Sequence, residues 1–377
     1  MIVPGEPLLS PGSLARAVCY ASTSAEHARR VFGSNALLFE FGRQAIAVAL
    51  RECPAGPVLV PAFICDTLVD GVRAAGRTVV YYRLGPDLSP DIDWIEQNAP
   101  SAGGAIVVVH YFGFPSPVAD ARSLADRRGA VLIEDRAHAF LTTIAGGLPL
   151  DADSPCVYTW RKFLPVVHGA ALTGISAQAA TNRRCGVVQA GRSLASWAVF
   201  SAGSRRLLHT LGPTFSDEPD LRRNGTAARL PDRLSTGVLA SESGRLQRHG
   251  QARRHNFRHL ATGLSDLPGV TQALAREPDG STVPWCYPVR VADRALADDL
   301  LGALLSEGIG AWRWPTLPAG LDSGAHPEAA ELADTTVCLP VHQGLGDDAI
   351  AWMIDTVSGW ALSRAATWPD HRIELSG

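Results

Sequence analysis

The stretch that decides the fold is Ala105–Asp135, AIVVVHYFGFPSPVADARSLADRRGAVLIED. Two short apolar runs rich in β-branched residues, AIVVVHY (105–111) and AVLIED (130–135), flank a polar stretch of helical composition. Strand, helix and strand in succession are the signature of an α/β domain with a largely parallel sheet. The same rhythm extends outward on both sides. Val58–Ile64 (VLVPAFI) and Thr78–Leu84 (TVVYYRL) precede it, and Cys156–Trp160 (CVYTW) and Gly169–Thr173 (GAALT) follow it, so residues 35 to 175 read as one alternating unit. Asp66 is expected to cap a helix that Gly76 ends. Ser89 with Pro90 at the first helical position is expected to open another at Asp91–Gln97.

Beyond residue 175 the rhythm is lost. Residues 176–245 are rich in Arg, Ser and Gly, and read as helices joined by irregular segments that include a subunit contact. A long helix with an arginine-rich face follows (SESGRLQRHGQARRHNFRHLATGL). Trp285–Val291, a helix at Asp293–Glu307 and Gly310–Pro315 then imply a small α+β domain. With 377 residues, the chain exceeds the size at which one core usually stops growing. The expected division is a large domain over 1–245, including the N-terminal segment 1–34, and a small domain over 246–377.

Composition narrows the function. With 46% apolar residues, 19% charged residues and a net charge of −3, the chain reads as a soluble globular protein. It has no basic field for nucleic acid and no polybasic segment for a membrane. The N-terminus lacks the basic start and apolar run of a signal peptide, so a cytoplasmic location is expected. Seven cysteines without a CxxC pair suggest neither zinc knuckle nor disulfide framework. His209, His255 and His342 have no spacing that suggests a metal site, so no metal is expected. Of 34 basic residues only one, Lys162, is lysine. Arginine replaces lysine wherever a positive charge suffices. It cannot do so where an amine must lose its proton and attack a carbonyl.

Three features point to a phosphorylated aldehyde cofactor. Phe41-Gly42-Arg43-Gln44-Ala45 lies directly before an expected helix at Ala45–Arg51. There a phosphate could approach free N–H groups, with Arg43 adding a charge-assisted contact. Ile133-Glu134-Asp135-Arg136-Ala137-His138 closes an apolar strand, at the sheet edge where open α/β folds bind ligands. A carboxylate such as Asp135 keeps a pyridine nitrogen protonated and the ring electron-withdrawing. Tyr158-Thr159-Trp160-Arg161-Lys162-Phe163 places the single lysine after a strand, where burial and a nearby cationic ring depress the amine's pKa. Thr159 is a candidate phosphate ligand.

With these motifs in place, Phe41–Gly174 resembles the DegT-like sugar aminotransferases of the fold type I pyridoxal-phosphate enzymes. The resemblance rests on GRQAIAVAL, VLVPAFICDTLVDGVRAAG, VVVHYFGFP, LIEDRAHAF and YTWRKFLPVVHGAAL, with DRLST, GIGAWRWP and LPVHQGL in support. It implies an aspartate aminotransferase-like α/β fold, pyridoxal 5′-phosphate as cofactor, and a homodimer with active sites at the subunit interface. Lys162 would be the Schiff-base lysine, Asp135 the pyridine-nitrogen partner and His138 the residue beside the phenolate oxygen. Gly42, Arg43, Gln44 and Thr159 would surround the phosphate, and His110 would lie near cofactor and substrate. Phe63, Ile64 and Cys65 stand where many members carry the aromatic that stacks on the ring. Val167-His168-Gly169-Ala170 replaces a Gly-Glu-Gly-Gly-like turn. Pro231 replaces an asparagine before Asp232-Arg233-Leu234-Ser235.

The expected reaction is amino-group transfer from an amino acid to a keto acceptor, a sugar or another biosynthetic intermediate, with Arg313 as candidate for the donor carboxylate. A lyase, decarboxylase or carbon–carbon bond-forming enzyme of the same fold is the alternative. A non-catalytic binding protein is a third reading, disfavoured because it would need neither Lys162 nor Asp135.

Overall fold

The structure, a computed structural model, describes residues 1–20, 24–100, 103–150, 153–175, 228–274 and 278–364. The expected helices and subunit contact of 176–245 lie outside the described residues up to position 227. The described helices, in chain order, are α1 (Pro11–Cys19), α2 (Ser24–Phe32), α3 (Gly42–Arg51), α4 (Asp66–Ala74), α5 (Ile92–Asn98), α6 (Ala119–Arg128) and α7 (Phe140–Ala145). After the undescribed stretch come α8 (Arg233–Glu242), α9 (Leu246–Gly263), α10 (Arg294–Ser306), α11 (Pro327–Thr335) and α12 (Asp347–Arg364).

The strands β1 (Leu37–Phe39), β2 (Val58–Pro61), β3 (Val79–Tyr82), β4 (Ala105–Val109), β5 (Val131–Asp135), β6 (Cys156–Thr159) and β7 (Ala170–Thr173) form a seven-stranded sheet in the order β1-β7-β6-β5-β4-β2-β3. Pairing is parallel from β3 through β6 and antiparallel at β7 and β1. Parallel strands are covered by helices on both faces, which is why AIVVV is buried at every position. The register aligns Val109 with Asp135 and Asp135 with Val157, so the carboxyl ends of β4, β5 and β6 form one edge.

The starts of α4 and α5 differ from the sequence reading. Asp66 is the first residue of α4 and Cys65 occupies the cap position, while Gly76 with φ +70° closes the helix as expected. In α5 the cap is Asp91, whose carboxylate accepts the Trp94 N–H at 2.9 Å, so Ser89 and Pro90 lie before the helix. A carboxylate competes better than a serine hydroxyl for those N–H groups because its hydrogen bond is charge-assisted.

A second, antiparallel sheet comprises β8 (Thr271–Gln272), β9 (Cys286–Arg290), β10 (Trp312–Arg313) and β11 (Thr336–Pro340), in the order β10-β11-β9-β8. The chain returns from this sheet to the first at Trp285, whose N–H donates to the Phe112 carbonyl at 2.7 Å. Arg253 of α9 reinforces this contact from inside. It is 1% exposed and donates to the carbonyls of Pro284 and Trp285 and to Gln343. Among the described residues, no helix is long and apolar enough to cross a membrane.

Candidate active site

The site is built on the carboxyl edge of β4, β5 and β6. Successive strand residues face opposite sides of a sheet, so Glu134 and Asp135 are committed to different environments. Glu134 points into a buried polar network. It takes two bonds from Arg136, at 2.8 and 3.1 Å, one from Ser154 at 2.7 Å and one from His110 at 3.0 Å. Burial opposes its ionisation, yet the His110 hydrogen bond and the Arg136 charge outweigh that and hold it down at about 2. This network fixes the strand end from behind and leaves Asp135 for the other face.

Asp135 accepts the Ala137 N–H at 2.9 Å. Burial raises its pKa above the ordinary carboxylate value, while the Ala137 N–H and the Lys162 and His110 charges act in the opposite direction. Lys162 follows β6 in a single 3-10 turn, Trp160–Lys162. Desolvation brings its amine down to about 8, assisted by Arg161 and opposed by Cys65, Asp135 and Cys286. Far more of this amine is therefore neutral and nucleophilic near neutral pH than of an ordinary lysine. It lies 4.5 Å from the centre of the Trp285 ring and 5.8 Å from that of Trp314.

His138 is 2% exposed, and burial followed by the Lys162 and Arg161 charges keeps its pKa well below the usual histidine value. The ring is thus neutral. Its Nδ1 accepts the Phe112 N–H at 3.3 Å, which leaves Nε2–H as a donor. Trp285 stacks on it with centroids 4.0 Å apart, and Trp314 meets it edge-on at 4.6 Å.

Helix α3 begins at Gly42, three positions before the expected Ala45. Phe41 holds the cap position, and its N–H donates to the Gln44 side chain at 3.3 Å. No cap side chain therefore blocks the helix start. A Cβ at Gly42 would stand 3.0 Å from the Thr159 methyl, so a larger residue would crowd the helix start against β6. Arg43 is 8% exposed and its guanidinium lies 4.6 Å from the Phe41 ring centre. The Thr159 hydroxyl donates to the Ala137 carbonyl at 3.2 Å, so binding an anion there requires it to rotate.

The structure thus brings together Lys162, Asp135 and His138, with Gly42 and Thr159 beside them. Of the three candidates for the ring-stacking position, Phe63 and Ile64 are buried and Cys65 is half-buried. Phe63 packs on Tyr111 and Trp314, whereas Cys65 is close enough to act on the Lys162 amine. His110 is adjacent through its backbone, whose N–H donates to the Asp135 carbonyl at 3.1 Å, but its ring is held by Glu134 and by the Ser116 N–H. Arg313 is not brought into the site. It pairs with Asp298 and donates to the carbonyls of Ala333 and Asp334, because alternation along β10 sends it away from the face that carries Trp312 and Trp314.

Trp285 and Trp314 are the neighbours of Lys162 that the sequence reading missed. The alternation of Trp312 and Trp314 around Arg313 was the available signal. His255 stands one helical turn from His259 on α9, and its Nε2 lies 2.9 Å from Asp347 Oδ1, so the three side chains form a largely exposed group of metal-ligand type. The sequence gap between His259 and Asp347 had concealed it.

Comparison with known proteins identifies the family. The model of the DegT/DnrJ/EryC1/StrS aminotransferase family matches residues 30–158 and 201–358. The dTDP-3-amino-3,4,6-trideoxy-alpha-D-glucose transaminase of Streptomyces venezuelae is 25% identical, covering 85% of this chain and 81% of its own. The L-glutamine:2-deoxy-scyllo-inosose aminotransferase of Streptomyces kanamyceticus is also 25% identical, over 89% of this chain and 76% of its own. The PMP-form of a putative sugar aminotransferase from Streptococcus pneumoniae superposes with a TM-score of 0.73, at 17% identity, over 97% of this chain and 99% of the other. At that identity the superposition speaks for the fold, and the family match speaks for the chemistry. The chain belongs to the DegT/DnrJ/EryC1/StrS aminotransferase family.

Proposed function

We propose that Lys162 holds pyridoxal 5′-phosphate and serves as the acid–base residue of an amino-group transfer. The chain is a pyridoxal-phosphate-dependent aminotransferase that moves an amino group from an amino acid to a keto acceptor. The observation that carries the assignment is a desolvated amine, the only lysine in the chain, beside a strand-end carboxylate.

The residues present fit the cofactor. Its carbonyl needs a deprotonatable amine, its pyridine nitrogen a carboxylate, its phenolate a neutral donor and its phosphate an uncapped helix start. Lys162, Asp135, His138 and the Gly42 end of α3 supply these in turn. When bound, the cofactor supplies an electron-withdrawing ring that acidifies the α-proton of the donor. Asp135 would face the ring nitrogen and keep it protonated. Lys162 would take the donor's α-proton as general base and give it back as general acid, and the Trp285 and Trp314 rings shield its amine from water.

The names of the two streptomycete relatives support a keto group on a sugar or cyclitol ring as acceptor and an amino acid such as L-glutamine as donor. A homodimer with active sites at its interface, and the division at residues 245 and 246, belong to the same reading.

The test is a half-reaction. Purified holoprotein mixed with L-glutamine or L-glutamate should lose its visible cofactor absorbance and regain it when a keto acceptor is added. Release of ammonia, carbon dioxide or an aldehyde without formation of pyridoxamine phosphate would favour the lyase alternative.

A further inference from the structure

We infer that His168, clasped between Asp232 and Glu40, is a positioning residue that holds the Lys162 loop against the start of α3. It thereby sets the spacing between the amine end and the phosphate end of the site. The inference rests on the proposed use of those two ends.

His168 lies in the ten-residue connection between β6 and β7, the same segment that carries Lys162. It is 1% exposed, and both ring nitrogens face buried carboxylates. Nδ1 is hydrogen-bonded to Asp232 Oδ2 at 2.7 Å, whereas Nε2 stands 3.4 Å from Glu40 Oε1 without forming a hydrogen bond. Asp232 caps α8, accepting the Ser235 N–H at 2.8 Å and the Ser235 hydroxyl at 2.6 Å. Burial works against its ionisation, but the His168 and Ser235 hydrogen bonds keep its carboxyl below the usual value. Glu40 directly precedes the Phe41–Gly42 helix start. The Gly169 N–H donates to its carbonyl at 2.8 Å, and the Phe41 ring meets His168 edge-on at 5.1 Å.

The loop is fixed at its other side as well. Gly169 has φ +137°, and a Cβ there would fall 2.1 Å from the ring of Trp160, the first residue of the turn that presents Lys162. The His168 ring therefore ties the Lys162 loop to the cap of α8, while the Gly169 N–H and the Phe41 ring contact hold the same loop at the entry to α3. The bond from the Val167–Ala170 turn thus reaches Asp232, the residue after Pro231, across 64 positions of sequence.

The test is cofactor affinity, measured on apoprotein titrated with pyridoxal phosphate and read both by visible absorbance and by quenching of tryptophan fluorescence. His168→Ala and Asp232→Ala should each weaken binding about tenfold or more, since a displaced support costs affinity steeply. His168→Asn places a donor where Nδ1 stands and should bind within about threefold of wild type, whereas His168→Gln should not. This second pair keeps the comparison informative if the alanine variants fail to fold. Met353→Ala, a core truncation in α12, serves as the control for lost stability and should leave the affinity unchanged. If the His168 variants bind as tightly as a Met353→Ala protein of equal melting temperature, His168 only packs and the inference is overturned. If wild-type apoprotein takes up no cofactor at all, the proposed function itself fails, and this inference with it.

Discussion

Lys162→Arg is expected to reduce amino-group transfer by at least about 10³-fold while leaving the fold intact. The substitution keeps a positive charge, and a guanidinium can occupy the same faces of Trp285 and Trp314 that now receive the ammonium. Packing around residue 162 therefore changes little. The chemistry is lost because guanidinium does not deprotonate in proteins, whereas the native amine, desolvated to about 8, does so readily. Single-turnover assays with an amino donor, alongside thermal melting, check both halves. Retained turnover would remove Lys162 from the reaction, and a collapsed melting temperature would make the loss structural.

Asp135→Asn should cost about 10²- to 10⁴-fold in turnover and yet leave the apoprotein as stable as wild type or more so. The amide oxygen of asparagine can still accept the Ala137 N–H, so the strand end keeps its geometry. What disappears is the negative charge that holds a proton on the ring nitrogen. The stability half follows from the direction of the pKa shift. Burial raises the Asp135 pKa in the folded state, so between its unfolded and folded values the native protein binds more protons than the unfolded chain. Stability then falls as pH rises through that window, and at neutral pH the ionised carboxylate is a net cost. Asparagine removes that cost. Melting curves of the apoprotein near neutral pH, paired with turnover numbers, check the prediction. A large loss of stability in the variant would mean that the carboxylate is chiefly structural.

Much of the large sheet was legible because parallel strands buried on both faces leave apolar runs, as in AIVVV and the VLI of VLIED. Asp135 and Thr159 could be read as strand ends for the same reason, and Lys162 as the residue just beyond. The three-residue β1 was too short to leave a pattern, and α3 starts at Gly42 although glycine and an uncapped Phe41 both weaken the local helix signal. Strand direction was less visible. The connection from Thr159 to Ala170 is too short for a parallel crossover, and this alone hinted that β7 runs antiparallel.

The aromatic surroundings of Lys162 were hidden for a different reason. A tryptophan in an apolar segment reads as core, and nothing local shows that Trp285 and Trp314 converge on residue 162 from more than a hundred positions away. Choosing Arg313 over its neighbour Trp314 favoured charge over the period-two alternation that orients both. The His168–Asp232 pair spans 64 positions and leaves no signal in either segment alone. Long-range polar pairs of this kind are written in the packing and not in the spacing.

The central claim is that the cofactor is held by the chain's single lysine. Its most direct measurement is borohydride reduction of the purified holoprotein followed by proteolysis and mass spectrometry. The account predicts one pyridoxyl-phosphate adduct, on the peptide containing Trp160-Arg161-Lys162-Phe163. An adduct on the N-terminal amine alone, or cofactor that leaves no reducible bond to the protein, would contradict it.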